Sequence, residues 1–146
     1  MSEADLDAVT AIEAVTFPDP WPRRSLAYEA LENPCGFAFV IEWEGIVAGY
    51  AITHVLYEQA HLINIAVAAA RRGLGLGEAL LVHLMRHAAL QGAEEMHLEV
   101  RETNMAAVSL YVRHGFKILG RKDKYYGDGT PALLMRAPLA VEKRTV

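Results

Sequence analysis

The run Arg72-Gly73-Leu74-Gly75-Leu76-Gly77 follows an apolar stretch, Leu62-Ile63-Asn64-Ile65-Ala66-Val67, and precedes a helical pattern that starts near Glu78. A glycine-rich turn between a strand and a helix leaves backbone N–H groups free to point at one spot. The helix dipole adds partial positive charge there. The ligand class that fits such a turn is a phosphate or pyrophosphate.

The chain around this turn has 146 residues, enough for one domain with a real core. We assign that domain to residues 1–138 and a flexible C-terminal tail to residues 139–146. Hydrophobic residues make up 53% of the chain, and mean hydropathy is +0.14. No apolar stretch reaches the roughly 18 residues of a membrane helix. The acidic start, Glu3, Asp5 and Asp7, argues against a signal or transit peptide, so a cytoplasmic protein is expected. The lone Cys35 suits a reducing compartment and excludes an internal disulfide. A net charge of −4 gives no electrostatic case for binding nucleic acid, and no membrane partner is expected.

Leu6, Val9, Ile12 and Val15 recur at helical spacing and predict a first helix over residues 3–15. Phe17-Pro18-Asp19-Pro20-Trp21-Pro22 is a proline-stiffened loop. A short helix is expected over 23–32 and strands over 37–43, 47–54 and 61–67, the first two joined by a turn at Glu44-Gly45. After the glycine turn, Leu80, Leu81, Leu84, Met85 and Ala88 form the apolar stripe of a helix over 77–91, with Gly92 as its C-cap. In the strand 95–101, Met96, Leu98 and Val100 face one way and His97, Glu99 and Arg101 the other. Thr103 or Asn104 caps a helix over 105–114 that Gly115 ends. Phe116–Gly120 and Ala132–Met135 read as the last strands. The order predicts an α/β protein, a mixed sheet with helices on its faces.

A dinucleotide fold needs Gly-x-Gly-x-x-Gly early in the chain, and an ATP-binding loop needs Gly-Lys-Ser/Thr. Here the glycines are spaced two apart, the turn comes after three antiparallel-looking strands, and Glu78 follows Gly77. Neither fits. Instead, Arg72, Gly75 and Gly77 after an apolar strand make an Arg-x-x-Gly-x-Gly pattern. This resembles the acetyl-CoA signature of the GNAT superfamily of N-acetyltransferases. Ile63-Asn64-Ile65-Ala66-Val67, Leu98-Glu99-Val100-Arg101, Thr103-Asn104, Leu110-Tyr111, His114-Gly115-Phe116 and Tyr125-Tyr126, with the early Phe17 and Pro20-Trp21, resemble its RimI branch. Members of that branch acetylate protein N-termini, most familiarly the N-terminal alanine of a ribosomal protein.

The resemblance implies the GNAT-type fold, acetyl-CoA as cosubstrate, no metal, and a protein N-terminus, of a ribosomal protein, as acceptor partner. It implies Glu99 as general base, acting through water, and Tyr111 as general acid beside the CoA sulfur. Backbone groups of Ile65, Ala66 and Val67 then pair with the pantetheine amides, as an added strand would. Gly73, Leu74, Gly75, Leu76, Gly77 and Glu78 supply amides to the pyrophosphate, and Arg71 and Arg72 add charge. Glu78 departs from the basic residue common in related enzymes. Asn104 is both a helix cap and a contact to the CoA arm. Trp21, Tyr125 and Tyr126 are candidates for the substrate groove, the tyrosines as adjacent strand residues facing opposite sides.

Two alternatives stay open from the residues: a GNAT enzyme acting on lysine side chains or small amines, and a non-catalytic acyl-CoA sensor. His83 and His87, spaced i, i+4, read as a solvated helix face rather than a zinc site, and Cys35 as a loop or buried thiol. GNAT domains mostly open with a short strand before the first helix. Here Ser2-Glu3-Ala4-Asp5-Leu6 resembles the turn after it, so either that strand is lacking or the start lies inside the gene.

Overall fold

The computed structural model describes residues 1–140. Its elements are α1 (Leu6–Thr16), α2 (Arg23–Leu31), β1 (Gly36–Trp43), β2 (Ile46–Leu56), β3 (Gln59–Val67), α3 (Leu76–Leu90), β4 (Glu95–Arg101), α4 (Met105–Arg113), β5 (Lys117–Lys122) and β6 (Ala132–Pro138). Single turns of 3-10 helix stand at Glu3–Asp5 and Ala69–Arg71. The strands form a mixed sheet in the order β1-β2-β3-β4-β6-β5, the α/β class expected from the sequence. No strand precedes α1 among the described residues, and the Met1 ammonium donates to the Ala38 carbonyl at 3.0 Å. Leu139 is buried, with its N–H on the Glu94 carbonyl at 2.8 Å. Of the expected tail, residues 141–146 lie outside the described residues.

The chain divides into two compact units, the first made of Met1–His54 with Ile63–Leu84 and the second of Val55–Leu62 with the chain from Met85 on. In the first, β1 and β2 pair antiparallel and meet at Trp43↔Ile46, which leaves a two-residue turn. Glu44 and Gly45 both take positive φ, 53° and 78°, as the tightest hairpin connection requires. The core of this unit joins Leu6, Val9 and Ile12 of α1 to Leu26 of α2, Tyr50 and Ile52 of β2, and Ala66 of β3.

One expected core residue is misplaced. Val15 is 78% exposed, and Glu13, the residue four positions after Val9, takes the inward face instead. The Glu13 side chain is 1% exposed and receives a 2.5 Å hydrogen bond from Asn64 Nδ2 of β3. Burial pushes its carboxyl above the usual carboxylate range, while Tyr50, Asn64 and the backbone at Trp21 act in the opposite direction. A carboxyl hidden this way ties α1 to β3 and to the proline-rich loop.

In the second unit β4 is the central strand. It pairs antiparallel with β6 over Glu95–Arg101 against Ala132–Pro138, and in parallel with the start of β3 at Gln59–His61 against Glu95–His97. β5 pairs antiparallel with β6 on the far side. Met96, Leu98 and Val100 are buried, as the alternation predicts. Helix α3 ends in a Schellman turn: the Ala93 N–H reaches the Ala88 carbonyl, and Gly92 takes φ 99°.

Gly49 of β2 marks the tightest backbone approach in the first unit. A Cβ there would stand 2.8 Å from the Ala66 carbonyl oxygen of β3, and 3.2 Å from Ile41 Cγ2. Overfilling a packed site costs about 1–3 kcal/mol. Gly49→Ala is therefore expected to lower unfolding stability by about that much, read from urea denaturation midpoints. Unchanged stability would mean that β2 and β3 lie farther apart.

Candidate active site

The glycine turn is built as expected, with α3 starting two residues before Glu78, at Leu76. Gly73 and Gly75 hold positive φ, 81° and 78°, which L side chains adopt only at a cost. A Cβ on either glycine would meet nothing within 4 Å, so the space over the turn is open. The first helical hydrogen bond to form runs from the Ala79 N–H to the Gly75 carbonyl. The N–H groups before Ala79 are the ones a helix start leaves for a ligand. Arg72 donates through Nε to the Val67 carbonyl at 3.2 Å, joining the turn to the end of β3. Ala66 is buried, while Ile65 and Val67 are half-buried. These groups together suit an extended ligand that ends in a pyrophosphate.

In the second unit Glu99 projects from the polar face of β4. Its Oε2 lies 2.5 Å from Nε2 of His61, on β3. The His61 bond holds the Glu99 carboxyl below the usual carboxylate range, outweighing partial burial, with Lys122 adding to the effect. An ionised carboxylate only accepts hydrogen bonds, so the shared proton sits on Nε2. The side chains are 27% and 43% exposed. His61 is the residue that sequence reading missed, because histidine on an edge of an apolar run carries no pattern of its own.

Tyr111 is placed by the end of α4. Asn104 caps the helix, its Oδ1 accepting from the Ala107 N–H at 3.2 Å. At the other end the Phe116 N–H bonds to the Tyr111 carbonyl and the Gly115 N–H to that of Val112, with Gly115 at φ 92°. This is again a Schellman turn, and its usual apolar contact is the Tyr111–Phe116 ring pair, 5.6 Å between centroids. Tyr111 is 4% exposed, and burial pushes its phenol well above the ordinary value, with Tyr126 adding to the shift. The phenol therefore holds its proton across the working pH range.

Tyr125 and Tyr126 do not lie in a strand. They stand in the loop between β5 and β6, and their rings meet edge to face at 4.9 Å instead of pointing to opposite sides. Arg101 of β4 fixes this loop from below. Its guanidinium lies 4.1 Å from the Tyr126 ring centroid, and its Nη1 holds both Asp128 oxygens at 3.0 and 2.8 Å. Lys122 stands 5.6 Å from the Tyr125 ring centroid. Burial and the Glu99 charge both push the Tyr125 phenol up. Glu99, His61, Tyr125, Tyr126 and Arg101 thus form one cluster.

Trp21, in the first unit, is half-buried against that unit's core. It also lines an open cleft of about 540 Å³ with Arg24, Tyr28 and Glu29. His83 packs edge-on against Phe39 at 4.6 Å, so it has a packing role. Among the described residues no group of His, Cys, Asp or Glu could hold a metal ion, and no helix is long and apolar enough to cross a membrane.

The profile of the Acetyltransferase (GNAT) family matches residues 6–116. A ribosomal protein bS18-alanine N-acetyltransferase of Escherichia coli is 34% identical over 97% of this chain and 96% of its own length. An N-alpha-acetyltransferase of Sulfurisphaera tokodaii is 34% identical over 92% of this chain and 88% of its own. The crystal structure of the ribosomal-protein-S18-alanine N-acetyltransferase from Escherichia coli superposes with a TM-score of 0.88 at 32% identity, over 100% of this chain and 95% of that one.

The Arg101–Asp128 clasp sets a pH dependence. The Thr130 backbone and hydroxyl, then Arg101, hold the Asp128 carboxyl down at about 2. A depressed carboxyl stabilises the fold above its unfolded value, roughly 3.9, and loses that contribution as pH falls toward 2. Arg101→Ala should raise the Asp128 pKa, read by carboxyl NMR titration, without returning it fully to 3.9, since Thr130 remains. Its stability deficit should fade as pH drops below 3. A deficit that persists unchanged at pH 2 would contradict the assignment.

Proposed function

Because the chain belongs to the GNAT acetyltransferase family, we propose that it transfers the acetyl group of acetyl-CoA to the α-amino group of a protein N-terminus, with a ribosomal protein beginning in alanine as the preferred acceptor. The observation that carries this reading is an ionised carboxylate, Glu99, beside Tyr125 and Tyr126. An ionised carboxylate attracts a cationic ammonium. An α-amine has a pKa of about 7.7–8.0 and a lysine amine about 10.4. At pH 7 roughly a tenth of the first is neutral, and far less than a hundredth of the second. A weak carboxylate base can serve the α-amine.

Acetyl-CoA supplies the thioester, and the chain's residues do the rest. The amides of Gly73, Leu74, Gly75, Leu76, Gly77 and Glu78, with Arg72 beside them, hold the pyrophosphate. Backbone groups of Ile65, Ala66 and Val67 pair with the pantetheine, and an N–H near Val67 polarises the thioester carbonyl. The Asn104 side chain, besides capping α4, contacts the CoA arm. Glu99 draws the proton from the amine through water, and the nitrogen attacks the carbonyl carbon. The C–S bond breaks, and the leaving thiolate takes the Tyr111 proton. The raised Tyr111 pKa makes this transfer uphill unless it is concerted with C–S cleavage in a dry site. Trp21 contributes to acceptor binding. The 34% identity to enzymes of both the bS18-alanine and the N-alpha type supports an N-terminal over a side-chain acceptor.

The test is a peptide panel that varies the first residues, each peptide also made N-acetylated and with a free internal lysine, and read by mass spectrometry. Acetylation of free N-termini alone is the expected result; acetylation of lysine in the blocked peptides would overturn the reading. Tyr111→Phe should bind acetyl-CoA nearly as wild type and lower kcat about 10²-fold. Weaker binding with unchanged kcat would remove the acid role.

A further inference from the structure

We propose that Glu13, buried in α1, is a positioning residue for the acceptor: it holds the proline-rich loop in the setting from which Trp21 meets the incoming chain. This deepens the reading of the protein as an acetyltransferase with Trp21 on its acceptor side, and rests on it. The loop between α1 and α2, residues 17–22, is poor in hydrogen-bond donors. Pro18, Pro20 and Pro22 have no N–H, so its six residues offer three backbone donors, those of Phe17, Asp19 and Trp21. Two of the three turn to one residue. The Phe17 N–H bonds to the Glu13 carbonyl at 3.2 Å, where α1 ends. The Trp21 N–H is the backbone donor that acts on the Glu13 carboxyl. Glu13 thereby reaches both the start of the loop and its far side.

Stability alone does not account for a carboxyl in this place. Glu13 lies on the face of α1 that also carries Leu6, Val9 and Ile12 into the core, and an apolar side chain there would avoid the cost of hiding a polar group. The cost is visible. Glu13 Oε2 and the Tyr50 hydroxyl of β2 are both buried without a hydrogen-bond partner among the described residues. What an apolar side chain lacks is direction. Packing against the core keeps Trp21 near α1 and β2 without fixing how the loop is turned. A carboxyl whose Oε1 is held at 2.5 Å by Asn64 Nδ2 is itself fixed to β3, and it passes that setting to the loop. Trp21, so placed, lines the cleft of about 540 Å³ with Arg24, Tyr28 and Glu29.

The experiment compares wild type with Glu13→Gln, Glu13→Asp and Glu13→Met on a free-N-terminus peptide, with thermal melts beside the kinetics. Glutamine keeps an oxygen for Asn64 and Trp21, aspartate is one methylene short of them, and methionine fills the space without an oxygen. Glu13→Met is expected to raise KM for the peptide about tenfold, the worth of about one hydrogen bond, and Glu13→Asp to raise it severalfold. For both, kcat and KM for acetyl-CoA should stay within about twofold of wild type, since the acceptor is the ligand whose binding changes. Glu13→Gln should match wild type throughout.

The loop is also read without activity. The chain has two tryptophans, Trp21 and Trp43, so in a Trp43→Phe background the emission reports Trp21 alone. Glu13→Met and Glu13→Asp should shift that emission to the red and open it to acrylamide quenching, and Glu13→Gln should not. Where Glu13→Met does not fold, Glu13→Asp decides. Wild-type peptide KM and wild-type emission in the substituted proteins would overturn the inference alone. So would a loss of kcat and of affinity for both substrates in step with a lowered melting temperature, the pattern of a residue that only supports the fold. A wild-type protein that acetylates no free N-terminus overturns the acceptor role together with the function it rests on.

Discussion

The pleat of β4 is the constraint on which the polar cluster depends. Met96, Leu98 and Val100 are driven into the core, and a strand alternates its faces, so His97, Glu99 and Arg101 have to stand on the other side. The antiparallel ladder with β6 holds that register along the strand's whole length. A slip of one residue would bury Glu99 and Arg101 and expose three apolar side chains. From this single register follow the pairing of Glu99 with His61 and the hold of Arg101 on the tyrosine loop. Hydrophobic burial, which has no interest in chemistry, thereby aims the charged groups.

Helix ends do the comparable work elsewhere. Glycines at positive φ let α3 begin after an open turn and let α4 stop where the Tyr111 and Phe116 rings meet. The first unit adds a different device, a buried carboxyl. Glu13 would be costly in an apolar core without a partner, and Asn64 supplies one from β3, the strand that leads into the glycine turn. The cost of hiding that group is borne where α1, β3 and the proline-rich loop must keep their places.

The parts legible in the sequence are those written in local periodicity and local turn chemistry. The alternation of β4, the glycine turn, the Asn104 cap and the glycine ends of α3 and α4 each need only a few neighbouring residues. What escaped depends on contacts between distant residues. His61 and Glu99 are 38 positions apart, and Glu13 and Asn64 are 51 apart. The apolar spacing that suggested Val15 for the core also fits a helix turned toward Glu13, and only the partner on β3 decides between them. Tyr125 and Tyr126 look like strand residues by composition, yet the Arg101–Asp128 clasp and its Thr130 bonds keep them in a loop.

Glu99 is proposed here as the carboxylate that starts proton removal from an incoming α-amine. Its most direct measurement is the single-turnover rate of acetyl transfer to a free-N-terminus peptide by Glu99→Gln beside wild type, followed from pH 6 to 9. The expected result is a rate deficit that is greatest at pH 6, where the amine is almost wholly protonated, and that narrows as pH rises. A Glu99→Gln enzyme with the wild-type rate and the wild-type pH profile would contradict it.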